Sequence, residues 1–139
     1  MKLKKFIPFC FLFIGTLALP QPSLAEEKIE VIPIIQSSKG LSGKNFNYLE
    51  GKPELRLLKV KIPVGLKTPI HTHPSPMLIH VTRGRLKHVR GEEINFFKAG
   101  DAFIDSNNGG HYVKNVRKKQ AILHVGVVSV VGIPTAINE

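Results

Sequence analysis

Between Gly65 and Gly84 the chain reads G-L-K-T-P-I-H-T-H-P-S-P-M-L-I-H-V-T-R-G, and this stretch restricts the fold more than any other. His71 and His73 are two positions apart, so on an extended strand both side chains project to one face and the imidazoles can converge on one point. Pro74, Ser75 and Pro76 follow at once. Proline lacks the N–H that a sheet ladder needs and fixes its own φ, so the strand carrying the histidines stops there and the chain turns. The apolar run from Met77 to Val81 then reads as a strand returning beside the pair. Two imidazoles do not complete a metal site, which takes three or four ligands, so a third has to come from a distant segment.

Gly100 to Asn115 supplies the candidate, with His111 following Gly109 and Gly110, and Asn115 four positions further on. Together the two stretches resemble the cupin superfamily. Its first motif is a glycine, five residues, H-x-H, three or four residues, a glutamate, six residues and a glycine; Gly65, His71, His73 and Gly84 fall on those places, and Met77 holds the glutamate position. Its second motif is a glycine, five residues, P-x-G, two residues, a histidine, three residues and an asparagine. Gly100, His111 and Asn115 keep that spacing, with Ser106 in the proline place and Asn108 in the glycine place. Asparagine is the non-glycine residue that most readily takes positive φ. Two motifs with both internal spacings kept are far more specific than either alone.

The resemblance covers roughly Leu55 to Val128. It implies an all-β fold, a single jelly-roll β-barrel, in which His71, His73 and His111 gather a divalent metal: iron, manganese, zinc, nickel or copper. Met77 would line the cavity. Thioether sulfur can ligate a soft metal, but methionine is more often a flexible core filler, and that is the reading taken here. The carboxylate that many relatives use as ligand or base is missing from its usual position.

The N-terminus points to export. Lys2, Lys4 and Lys5 precede an apolar run from Phe6 to Leu19, and Ser23-Leu24-Ala25 forms a small-x-small cleavage site, so residues 1–25 read as a secretory signal peptide. A spanning helix needs about 20 apolar residues, and this run is shorter and contains Pro8. No stable membrane anchor is therefore expected after cleavage, and the protein would be periplasmic or secreted. The single cysteine, Cys10, would leave with the peptide, which excludes disulfides, thiol catalysis and blue-copper ligation. Loss of three lysines lowers the formal charge from +10 to +7. No nucleic-acid-binding motif accompanies that charge, so it points to anionic surfaces or small anionic ligands rather than to nucleic acid.

Residues 26–54 read as an arm and loop, 55–131 as the barrel and 132–139 as a tail. Pro33 confines the β-branched run from Glu30 to Gln36 to an edge or a bulge, and the resemblance implies that such an arm pairs with a second subunit in a homodimer. From Leu55 to Ile62 the pattern alternates, with Leu58, Val60 and Ile62 on one face, Lys59 and Lys61 on the other, and a bulge expected where the apolar parity changes at Leu57 and Leu58. Strands are also expected around Arg85–Val89, Ile94–Phe97, Ala102–Ile104, His111–Val116 and Ala121–Val131. No stretch carries sustained helical periodicity. Short strands punctuated by Gly, Pro and Asn favour a sandwich or barrel.

Among the remaining histidines, His80 has the opposite strand parity to Met77 and should face away from the cavity. His124, in an apolar strand, is a candidate pocket residue. Arg83, Arg85 and Lys87, with Arg90 nearby, read as a solvated basic stripe that discourages edge pairing, and Asn115 as the tie for the turn after its strand. Two functions are compatible with these residues. One is a metal-dependent oxidoreductase of dioxygenase type acting on a small anionic substrate, because three neutral imidazoles leave the metal's charge uncompensated and its remaining positions open. The other is a non-catalytic cupin that binds a metal or small molecule for sensing, buffering or delivery.

Overall fold

The computed structural model describes residues 27–106 and 109–139. The expected signal peptide, Cys10 included, lies outside the described residues, as does Asn108 of the second motif. Among the described residues nine strands follow in order: β1 (Pro53–Ile62), β2 (His71–Thr72), β3 (Met77–Arg83), β4 (Arg85–Arg90), β5 (Glu93–Lys98), β6 (Ala102–Asp105), β7 (Tyr112–Asn115), β8 (Ala121–Val130) and β9 (Ile137–Asn138). Among the described residues there is no helix, and hence none long and apolar enough to cross a membrane.

The strands form a four-stranded sheet in the order β1-β8-β3-β6, a three-stranded sheet in the order β5-β4-β7, and the two-stranded pair β2-β9, all antiparallel. The sheets remain three separate ladders rather than one closed one. Period-2 alternation sets their faces: in β3, Met77, Ile79 and Val81 are buried, and in β8, Leu123, Val125 and Val127 are. These pack with Leu86 of β4 and Val113 of β7 into one core shared by the two larger sheets. Gly84 makes the passage between them. It sits between β3 and β4 with φ of 91°, and a Cβ there would lie 2.9 Å from the Ala121 Cα, so only glycine fits the crossing without strain.

Two expectations for the N-terminal half are corrected. No bulge interrupts β1; its pairing with β8 runs without a shift from Pro53 to Ile62, so Leu55 and Leu57 share the outward face with Lys59 and Lys61 and stand about 80 % exposed (80 % and 81 %). The inward face continues instead through the half-buried Arg56 and Glu54, whose ion pair is tied to the Ile133 carbonyl (2.7 Å) and the Thr135 hydroxyl (3.1 Å). A charged pair thus occupies places that the hydrophobic pattern alone assigns to apolar residues. The run from Glu30 to Gln36 forms no strand, because no strand edge among the described residues pairs with it; Ile32 and Ile34 remain exposed.

Candidate metal centre

The H-x-H pair lies on the short strand β2 and on the residue just after it. Its partner is fixed through the backbone: His71 N–H donates to the His111 carbonyl and His111 N–H to the His71 carbonyl, each at 3.0 Å. This reciprocal pair sets the two residues directly opposite each other, which brings their side chains together. The three rings gather with centroid separations of 4.7 Å (His71–His73), 4.5 Å (His71–His111) and 5.0 Å (His73–His111). Each offers a ring nitrogen within 4.8 Å of the others, and all three residues are buried. Residues forty positions apart are thus gathered by one bridge and one strand parity.

The hydrogen bonds select tautomers. His71 Nδ1 lies 2.9 Å from the Pro69 carbonyl and His73 Nδ1 2.8 Å from the Thr135 carbonyl. A carbonyl only accepts, so both Nδ1 atoms carry hydrogen and both Nε2 atoms keep a lone pair, the state a metal requires. Thr135 belongs to the segment after Val131. That segment also adds β9 to β2, so the last residues of the chain orient His73 and brace the histidine strand.

The rings surround a cavity of about 100 Å³ lined mainly by apolar side chains, among them Val60, Ile79, Phe103 and Val125. Met77 also lines it and is buried. Burial pushes His111 down to about 3, the nearby Asp105 only partly opposing it, and burial lowers His73 as well against its bond to the Thr135 carbonyl. Both rings are therefore neutral at pH 7. Three buried imidazoles, with the Nε2 lone pairs of His71 and His73 oriented and His73 and His111 held neutral, fit a divalent ion.

His124 does not belong to this site. Leu123, Val125 and Val127 take the inward positions of β8, so His124 points outward, exposed and paired with Lys59 on one side and His80 on the other. Conversely, three residues at the site were not read from the sequence as functional. Asp105 is 1 % exposed and lines the cavity, its Oδ2 lying 3.2 Å from His111 Nε2 and 3.3 Å from His88 Nε2. Arg90, 9 % exposed, pairs with Oδ1 of the same carboxylate. Burial raises the Asp105 pKa, but the His88 hydrogen bond, the nearby His111 ring and the Arg90 guanidinium outweigh it and hold the carboxyl well below the usual carboxylate range. His88 is fully buried and stacks on His111 at 4.7 Å. The signal for two of the three was present: Leu86 anchors the inward parity of β4, and His88 and Arg90 share it, leaving Arg85 and Lys87 on the other face.

Asn115 does not line the cavity. Its side chain caps the β7–β8 turn and the end of β1 through four backbone contacts.

Comparison with solved structures finds the same fold at low sequence identity. A cupin-like protein from Thermotoga maritima is 24 % identical over 61 % of this chain and 64 % of that one, with a TM-score of 0.51. An oxalate decarboxylase from Lactobacillus farciminis, solved as a formate complex, is 23 % identical over 60 % of this chain and 26 % of that one, at 0.52. A polyketide cyclase from Streptomyces resistomycificus is 17 % identical over 63 % and 61 %, at 0.53. The chain thus spans less than two thirds of the length of each. Among curated proteins there is no match. The family model described as "Cupin domain" matches residues 58–130, more than half of the chain and the whole span from the H-x-H strand to the Asn115 turn, and the protein belongs to the cupin family.

Proposed function

We propose that this is an exported jelly-roll cupin that binds one divalent metal through His71, His73 and His111 and presents the open coordination positions to a small anionic ligand. The observation that carries the reading is the convergence of three buried imidazoles, their ring nitrogens within 4.8 Å of one another, on a largely apolar cavity. Bound there, the metal would supply Lewis acidity and, if iron, oxygen chemistry. The chain's own contribution is to orient Nε2 of His71 and His73 by backbone carbonyls, to keep His73 and His111 neutral by burial, and to line the cavity with Val60, Ile79, Phe103 and Val125. The cavity limits the ligand. About 100 Å³ is roughly three waters' worth at about 30 Å³ each, and far below the range of about 300–1,000 Å³ that holds drug-sized molecules. A small carboxylate or enolate suits this space better than a flavonol.

Elemental analysis of the protein purified without chelator tests the metal reading, with near-stoichiometric metal expected and its loss expected in a His71→Ala/His111→Ala double variant. Folded protein that stays empty on titration with iron, manganese, zinc, nickel and copper refutes it. The oxidoreductase reading predicts dioxygen uptake by the iron-loaded protein that depends on a small carboxylate or enolate. A specific feature favours the second reading, a binding or sensing cupin: the carboxylate at the site is held by Arg90 and His88, so no free acid or base stands ready to move protons. Ligand recovered unchanged from the metal-loaded protein decides for binding.

The homodimer is proposed on the outer face of the larger sheet, where Leu57, Gly126, Leu78 and Ile104 stand in one cross-strand row beside the Leu55–Val128 pair. Leu55 and Leu57 are among the most exposed leucines of the described residues, and an apolar strip of this kind is a protein contact surface. Sedimentation should show a dimer that Leu57→Glu dissociates; a native monomer at micromolar concentration sinks the idea.

A further inference from the structure

We propose that Asp105 supplies from β6 the carboxylate that the first motif lacks at Met77, making the metal centre three imidazoles and one aspartate, with Arg90 and His88 as positioning residues for that aspartate. The inference rests on the three-histidine reading above and adds a ligand to it.

The strand register carries the argument. Met77 of β3 and Asp105 of β6 are direct partners in the antiparallel ladder, and both side chains are buried and line the same cavity. Directly paired residues of neighbouring strands share a face and stand about 5 Å apart. A carboxylate lost from position 77 is thereby regained one strand over, in the same layer.

The atoms of Asp105 divide between two tasks. Oδ1 accepts from the Ser106 N–H at 2.8 Å and from one terminal nitrogen of Arg90. An arginine–carboxylate pair commonly engages both oxygens in a fork. Here it does not: among the described residues Arg90 Nε and Nη1 meet no partner, and Oδ2 accepts from His88 Nε2 at 3.3 Å and faces His111. Oδ2 lies 3.2 Å from His111 Nε2. Two ligand atoms each about 2.1 Å from one ion, at about 90–109° to each other, are about 3.0–3.4 Å apart, so this separation suits two donors on one metal. His88, Asp105 and His111 offer ligand atoms within 4.8 Å of one another, a second group that meets the three-histidine group only at His111, so His111 is the ligand beside which Asp105 would join the ion. Burying an ionised carboxylate is costly unless its charge is met, and Arg90 meets it through Oδ1, while Oδ2 accepts from His88 Nε2 and keeps a further lone pair for an ion.

The chain holds aspartate only at positions 101 and 105, which allows a direct test. Asp101 accepts from the Lys98 N–H at the β5–β6 turn, away from the cavity lining. Protein labelled with carboxyl-¹³C aspartate therefore gives two side-chain signals, and diamagnetic zinc is added as the probe. The Asp105 signal, assigned by its absence in Asp105→Asn, is expected to shift and saturate at one equivalent while the Asp101 signal stays. Zinc affinity should fall at least tenfold in Asp105→Asn and recover in Asp105→Asn/Met77→Glu, which returns a carboxylate to the facing strand. Should Asp105→Asn fail to fold, the labelled native protein still decides. Zinc binding that leaves the Asp105 signal in place, or that is as tight in folded Asp105→Asn as in the native chain, overturns the fourth ligand and leaves the three histidines standing. Zinc that binds His71→Ala as tightly as the native protein overturns the three-histidine reading itself.

Discussion

Replacing Asn115 by alanine should cost stability and leave metal binding untouched. The side chain is 1 % exposed, and its Nδ2 donates to the carbonyls of Ile62 (3.0 Å), Pro63 (3.2 Å) and Lys119 (2.8 Å), while Oδ1 accepts from the Arg117 N–H (2.9 Å). It thus joins the end of β1 to the β7–β8 turn. Each such bond is worth about 1 kcal/mol net, and a buried group left without a partner costs about 1–3 kcal/mol. Pro63 and Lys119 are exposed and regain water, whereas Ile62 is buried and does not. The expected loss is therefore about 2–3 kcal/mol, which for a domain of this size is a fall in Tm of roughly 10–20 °C. Urea unfolding should show a lower midpoint with the slope unchanged, and zinc affinity of the folded variant should equal that of the native protein. Asn115→Asp should be worse than alanine, since it keeps the acceptor but turns a second oxygen toward three carbonyls. A loss under about 0.5 kcal/mol, an aspartate milder than alanine, or a parallel fall in zinc affinity would refute this assignment.

The metal-free protein should lose stability as pH falls below about 6.5. His111 is held down to about 3 and His73 is lowered, so the unfolded chain binds protons there that the folded one refuses; Asp105, depressed in the folded state, adds a loss of the same sign below about 3.9. At about 1.4 kcal/mol per unit, His111 alone removes about 3 kcal/mol between pH 6.5 and 4, and chemical denaturation giving equal stability at those two pH values would contradict its buried, neutral state. Gly84→Ala should destabilise by at least about 2 kcal/mol, because its φ of 91° and the 2.9 Å approach to the Ala121 backbone oppose a Cβ; a neutral outcome in thermal melting would mean that the strands can part there. Leu86→Ala, at a fully buried position, should cost about 2–5 kcal/mol, against under about 0.5 kcal/mol at the outward Leu57 when the protein is dilute enough to be monomeric. Equal losses at the two sites would contradict the facing of β1 and β4.

Local rules reached far into this chain because strand parity is a property of spacing alone. The separation of His71 from His73, the stop at Pro74, the inward run of Met77, Ile79 and Val81, and the role of Asn115 follow from residue type and period. Where parity was judged from hydrophobicity, it misled. Leu55 and Leu57 suggested a bulge in β1, yet the strand is regular and turns the Glu54–Arg56 pair inward, because Ile133 and Thr135 from the chain's end satisfy it. The apolar neighbours of His124 suggest a pocket residue, but in β8 those neighbours alternate, and it lies on the outer parity.

From the sequence alone came the all-β fold, the family and the three histidines, since each rests on period, punctuation and motif spacing along one strand or turn. What only the tertiary structure decided are the relations between segments distant in the chain. The His71–His111 bridge, the tie from Thr135 to His73 and the register that sets Asp105 opposite Met77 join residues 28 to 62 positions apart. No local pattern encodes which strand lies beside which. That choice is made by the packing of a shared core, and it is what gathers His88, Arg90 and Asp105 around the histidines.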